Sequence, residues 1–213
     1  MFSLSQRFQV VTNQAVTVGI FIVAFIVGSS WFHLYQNDVF NSAKSTISNI
    51  KPSINIRTSR YYGSTNGKAK ENLKVSFDLS TDLSPLFNWN TKQVFVYLTA
   101  SYNGSSTVNE VTFWDKIIED KNDAVLELNN EKSKYAVWDL ENGFSGKELQ
   151  FNLHWNIQPW VGGLLYGQTN GIYHVIIPEK EKKPENSSGE EQENDSSVAK
   201  KKLKRARKQQ KAN

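Results

Sequence analysis

The stretch AVTVGIFIVAFIVGSSWF, Ala15–Phe32, constrains this chain more than any other. No Lys, Arg, Asp or Glu occurs from Phe8 through Asn37. A helix crossing a bilayer core of about 30 Å needs roughly 20 mostly apolar residues, whereas a secretory signal needs only about 7–15. The run has the longer length. Gly28-Ser29-Ser30 supplies small residues at which a peptidase can cut, so a removed signal stays open as the alternative. Trp31, Phe32 and Tyr35 follow, and such aromatics suit a membrane interface. The balance favours a retained anchor over residues 15–35. Arg7 and the α-amine precede the span without an acid, while Asp38 opens the far flank and Lys44 is its first base. By the positive-inside rule, residues 1–14 are expected to be cytosolic and roughly 180 residues translocated.

The translocated body, residues 36–178, is long enough for one domain. The chain has no cysteine. That excludes thiol catalysis, Cys-ligated zinc and a disulfide framework, and a body of this size can bury a sufficient core without them. The chain carries 25 Lys+Arg against 21 Asp+Glu. Residues 179–213 hold eleven of the bases and seven of the acids, leaving 14 of each in residues 1–178. The body thus has no electrostatic case for nucleic acid.

Within the body the pattern has period two. Leu73, Val75, Phe77 and Leu79 alternate with Lys74, Ser76 and Asp78. Val94, Val96 and Leu98 oppose Gln93, Phe95, Tyr97 and Thr99, and Phe151, Leu153, Trp155 and Ile157 alternate with Asn152, His154 and Asn156. This alternation predicts strands with one buried face. Shorter strands are expected at 53–58, 108–114, 124–128, 135–140 and 171–177, with a helical turn at 115–119. Asn66-Gly67, Asn103-Gly104, Asn142-Gly143 and Asn170-Gly171 read as turns. The fold class is all-β: one N-terminal transmembrane helix, then an antiparallel β-sandwich. Residues 179–213 are rich in Lys, Glu, Ser and Gln, have no aromatic residue, and are expected to be a disordered charged tail. Its run Lys200-Lys201-Lys202, Lys204, Arg205, Arg207 and Lys208 has the look of an import signal or nucleic-acid arm, which a translocated tail cannot use.

Catalytic chemistry finds little footing. Ser48-Asn49-Ile50-Lys51 matches S-x-x-K, the spacing that sets a lysine beside a nucleophilic serine on a helical turn, but the partner elements S-D-N and K-T-G are missing. His154 lies on the polar side of its strand, and no G-x-S-x-G elbow accompanies it. His174 shares an alternate face with Ile172 and Ile176, where a core or inter-sheet role is expected. Two histidines without a His/Cys/Asp cluster make no metal site. No catalytic residue, metal or cofactor is expected.

The five tryptophans of the body divide by setting. Trp155 fits a core. Trp89, in Asn88-Trp89-Asn90, and Trp160, after Pro159, sit in turn-like settings and are the candidate surface pair. Asn103, Asn186 and Asn194 begin glycosylation sequons; Asn103 stands at a hairpin turn and is the favoured site if the domain is translocated.

The runs NIRTSRYYGSTNGKAKENLKVSFDLSTDLSPLFNWNTKQVFVYLTA (55–100), EVTFWDKII (110–118), SKYAVWD (133–139) and HWNIQPWVG (154–162) resemble the signal peptidase complex subunit 3 family. These are the small glycosylated accessory subunits of the endoplasmic-reticulum signal peptidase, and the likeness looks closest to fungal members. It covers about residues 1–175. It implies a type II protein of the endoplasmic-reticulum membrane whose lumenal β-sandwich supports a separate catalytic serine-protease subunit, beside other small membrane subunits. It also implies a non-catalytic role, expected to be essential, and a glycan at Asn103. The tail beyond Ile177 is longer and more charged than the family leads one to expect. Leu83–Thr91, LSPLFNWNT, lies in the longest run. Pro85 disfavours a central ladder position, so a loop or edge is expected there. Leu86, Phe87, Trp89 and Trp160 are the candidate contact surface for the protease subunit, or its direct support. The rival reading is a secreted or anchored sandwich that binds carbohydrate or protein, with Trp89 and Trp160 as sugar-stacking platforms.

Overall fold

A computed structural model describes residues 3–57, 70–139 and 143–179. The predicted turn at Asn66-Gly67, the sequons at Asn186 and Asn194, and all but the first residue of the tail lie outside these. Helix α1 (Leu4–Gln36) begins eleven residues before the span read from the sequence. A capping box starts it: the Gln6 N–H donates to Ser3 Oγ, and the Gln6 side chain accepts from the Ser3 N–H. This reciprocal pair satisfies otherwise orphaned first-turn donors. At 33 residues the helix is about 50 Å long. It is long and apolar enough to cross a membrane. A short helix α2 (Val39–Ser42) follows a left-handed Asp38, whose carboxylate accepts from Asn41.

Among the described residues nine strands follow: β1 (Ser45–Arg57), β2 (Lys70–Asp82), β3 (Thr91–Asn103), β4 (Val108–Ile118), β5 (Val125–Lys132), β6 (Val137–Trp138), β7 (Glu148–Pro159), β8 (Leu165–Gln168) and β9 (Tyr173–Ile176). One antiparallel sheet has the order β1-β2-β5, with β6 also paired to β2. The other runs β4-β3-β7-β8, with β9 also paired to β7. One hydrophobic core joins them. Leu73, Val75, Phe77 and Leu79 enter it from the first sheet; Val94, Val96, Leu98, Phe151, Leu153, Trp155 and Ile157 enter it from the second. Such burial contributes about 1.5–3 kcal/mol for each large aliphatic or Phe side chain. Phe77 meets Trp114 edge-on across the sheets, with ring centroids 6.0 Å apart.

Three expectations are corrected. Residues 115–118 continue β4 and form no helical turn. Phe113 has no partner in the register, which passes from Leu98–Trp114 to Thr99–Thr112, so Phe113 and Trp114 are both buried and the alternation breaks there. In β9 the facing is the reverse of that read: Tyr173 and Val175 pack against the core, while Ile172, His174 and Ile176 are exposed. Finally, β1 begins at Ser45, so Ser48 belongs to the sheet and not to a connector.

Asp78 organises the first sheet. The register slips between Ser48 and Lys51 on one side of β2 and between Phe77 and Leu79 on the other. Asn49 and Asn130, at these irregularities, both have positive φ. The Asp78 carboxylate accepts from the Asn130 N–H at 2.6 Å and from the Asn49 side-chain amide. The Asn130 bond first, then Asn49, holds its pKa below the ordinary 3.8; desolvation opposes them and Lys51 assists. The fold favours the charged form, so the resulting stability is present above the ordinary value and is lost as pH falls through it and below. The melting-temperature advantage of the parent over Asp78→Asn is therefore expected to be constant near neutral pH and to shrink on acidification below 3.8. An advantage that grew on acidification would contradict this.

Candidate functional site

The catalytic candidates are not brought together. Ser48 and Lys51 lie on a strand with a register slip between them, not on a helical turn. Ser48 lines a shallow polar depression with Thr46, Asp78, Ser80, Glu127 and Asn129. His154 is on the outer face of the second sheet. It stacks on Tyr97, with centroids 5.3 Å apart, and its Nε2 is 3.4 Å from Glu110 Oε1. Phe95 continues the stack on Tyr97. Burial first, then the Glu110 carboxylate and Tyr166, raises the Tyr97 phenol above its ordinary 10.0, so it stays protonated. His174 Nδ1 meets Glu148 Oε1 at 2.9 Å on an exposed edge. Among the described residues no group of three or more His, Cys, Asp and Glu is placed to hold a metal ion.

The built feature lies where α1 meets the sandwich. Ser30 and Leu34, near the helix end, are buried. The Asn88 side-chain amide donates to Ser30 Oγ at 3.0 Å. A 3₁₀ turn at Ser84–Leu86, with Pro85 at its start, and the turn at Asn88–Asn90 form the loop before β3. Asn88 Oδ1 accepts from the Asn90 N–H, and Thr91 Oγ1 accepts from the Asn88 N–H. Asn90 is buried and clamps the second loop: its side chain donates to the Val161 carbonyl at 2.8 Å and accepts from the Val161 N–H at 3.1 Å. The Trp160 N–H donates to the Asn90 carbonyl at 2.8 Å. Beyond it, a Cβ built on Gly162 stands 3.2 Å from Val27 Cγ2 of α1, so this loop lies against the helix.

The four residues of the candidate contact surface separate. Leu86 is wholly buried and belongs to the core. Phe87 is half-buried against the same core. Trp89 and Trp160 are exposed. Asn103 is exposed at the end of β3, where Gly104 turns the chain by donating to the Thr107 carbonyl. The sequence reading missed the clamp itself. Ser30 was visible only as a possible cleavage site, and Asn88 and Asn90 only as polar neighbours of a tryptophan.

Structure and site together define a β-sandwich fixed to the end of one long apolar helix, with Ser48, His154 and His174 in unrelated places. A family model described as signal peptidase subunit matches residues 1–180. The chain belongs to that family. It is 59% identical over 184 residues to signal peptidase complex subunit 3 of Saccharomyces cerevisiae, covering 85% of this chain and 100% of that one. Its counterpart from Debaryomyces hansenii is 51% identical over 81% of this chain and 92% of its own. The Homo sapiens subunit 3 is 36% identical over 49% of this chain and 58% of its own.

Proposed function

We propose that this chain is a non-catalytic subunit of the signal peptidase complex, residing in the endoplasmic-reticulum membrane as a single-pass type II protein. Its sandwich is lumenal, carries a glycan at Asn103, and supports the catalytic serine-protease subunit while signal peptides are removed; cleavage in the cell requires it. The observation that carries this reading is the likeness, over the whole length of the yeast relative, to subunits named for that complex. The scattered Ser48, His154 and His174 agree with a role outside the chemistry. The segment 83–91 acts as support: through Asn88 and Ser30 it fixes the sandwich to the helix end, which sets the height at which a bound protease stands above the membrane. A carbohydrate-binding sandwich has no comparable support.

The test is affinity purification of the tagged full chain from microsomes in mild detergent. The mature protein is expected to retain residues 15–35, to shift with glycosidase, and to bring down a serine protease that cleaves a secretory precursor. Ser48→Ala, His154→Ala and His174→Ala should each leave that cleavage near the parent rate. Removal of residues 15–35, absence of a protease partner, or loss of cleavage by orders of magnitude from Ser48→Ala in an assembled complex would overturn the reading.

A further inference from the structure

We propose that the loops 86–91 and 159–164 dip into the lumenal membrane interface, with Trp89, Trp160 and Leu164 seated among lipid headgroups and the first acyl carbons. This rests on α1 crossing the membrane as proposed above. The apolar run of α1 extends to Phe32. Gly162 lies against Val27, five residues earlier, and so about 7 Å deeper along the helix. The polar interface is itself only about 5–8 Å thick on each side. A loop packed on Val27 therefore sits at the boundary of the hydrocarbon, not above it.

The surface chemistry matches that level. Trp89, Trp160 and Leu164 are 59%, 68% and 50% exposed, and Trp31 of α1, next to the Ser30 that Asn88 contacts, is exposed as well. Tryptophan favours this zone because its ring is apolar and its N–H is polar. Backbone polar groups that reach the first acyl carbons need partners within the protein. Val161 has both of its backbone groups bonded to the buried Asn90 side chain, and the Trp160 N–H is bonded to the Asn90 carbonyl. Lys92 stands over the Trp160 ring, with Nζ 5.4 Å from its centroid. Its aliphatic stem and terminal charge suit a lysine reaching from an apolar surface to lipid phosphate.

The chain has no cysteine, so single introduced cysteines are unique labelling sites. Trp89→Cys, Trp160→Cys and Leu164→Cys would carry a nitroxide in the full chain reconstituted in phosphatidylcholine/phosphatidylserine vesicles. Val108→Cys, at the opposite end of the sandwich, is the water-exposed control, and Ile22→Cys is the control within the span. The ratio of collisions with oxygen to collisions with a water-soluble nickel chelate is expected to be several-fold higher at 89, 160 and 164 than at 108. Ratios equal to that at 108 would overturn the proposal, with an apolar ratio at 22 showing that the span reading still stands. An aqueous ratio at 22 would remove the span and the proposal together. Should 89 and 160 be aqueous in vesicles and become shielded from both reagents only in the assembled complex, the surface binds protein and the lipid assignment fails.

Discussion

Gly167→Ala is expected to lower the stability of the sandwich by about 1–3 kcal/mol, the usual cost of overpacking a filled core. In β7 and β8, Trp155 and Gly167 are directly paired. A Cβ on Gly167 would stand 2.2 Å from Trp155 Cζ2 and 2.5 Å from Cη2, well inside van der Waals contact. The indole has nowhere to retreat. It is wholly buried, with the Phe40 ring at 5.8 Å. For a protein of this length each kcal/mol lowers the melting temperature by about 2–4 °C. Circular dichroism on the full chain in detergent would read the shift. The cause is separable, because Gly167→Ala should cost much less in a Trp155→Leu background than in the parent. Equal costs in the two backgrounds would show that the clash is not the reason.

Asn90→Ala is expected to do its damage at one end of the molecule. It strands the Val161 N–H and carbonyl, each of which has the Asn90 side chain as partner. Val161 is half-buried, and each hydrogen bond lost there costs about 0.5–1.5 kcal/mol. Amide exchange at Val161 should accelerate about tenfold for each 1.4 kcal/mol lost. The 159–164 loop should also leave Val27, because Asn90 is what ties it to the loop beneath. Asn90→Asp keeps an acceptor for the Val161 N–H but sets a carboxylate oxygen against the Val161 carbonyl in a buried site, so near neutral pH it should be at least as damaging as Asn90→Ala. Unchanged exchange at Val161 in Asn90→Ala would mean that the clamp is not what holds the loop.

The sandwich was legible wherever a strand is regular and has one polar face. Phe151, Leu153, Trp155 and Ile157 all point inward as their spacing requires. Reading failed where irregular pairing changes the parity. The bulge at Phe113 made the end of β4 look helical, and the slip between Ser48 and Lys51 hid the start of β1. In β9 both faces carry apolar residues, so alternation had no sign. Strand β8 escaped notice because Gly167 interrupts its pattern, and that glycine is needed only because Trp155 arrives from another strand. Of the candidate contact surface, the exposure of Trp89 and Trp160 follows from their turn settings. The burial of Leu86 does not, since local sequence cannot tell a loop leucine aimed inward from one aimed outward. The junction with the helix depends on Asn88 meeting Ser30 across 58 positions, which no local pattern encodes.

The same junction has a mechanical consequence. Besides Asn88 and Ser30, the Asn170 side chain donates to the Asn41 carbonyl, its N–H donates to the Ala43 carbonyl, and Ser45 and Thr169 share a hydroxyl bond at 2.6 Å. The two residues between α1 and α2 are thus no swivel, and the anchor and sandwich turn as one lever. Strand β3 carries that lever about 40 Å from Thr91 to Asn103. A thicker or thinner bilayer changes the tilt of a single spanning helix. A change of about 10° would swing the Asn103 end by about 7 Å. With α1 spanning as proposed, bilayer thickness is thereby converted into the position of the far end of the sandwich.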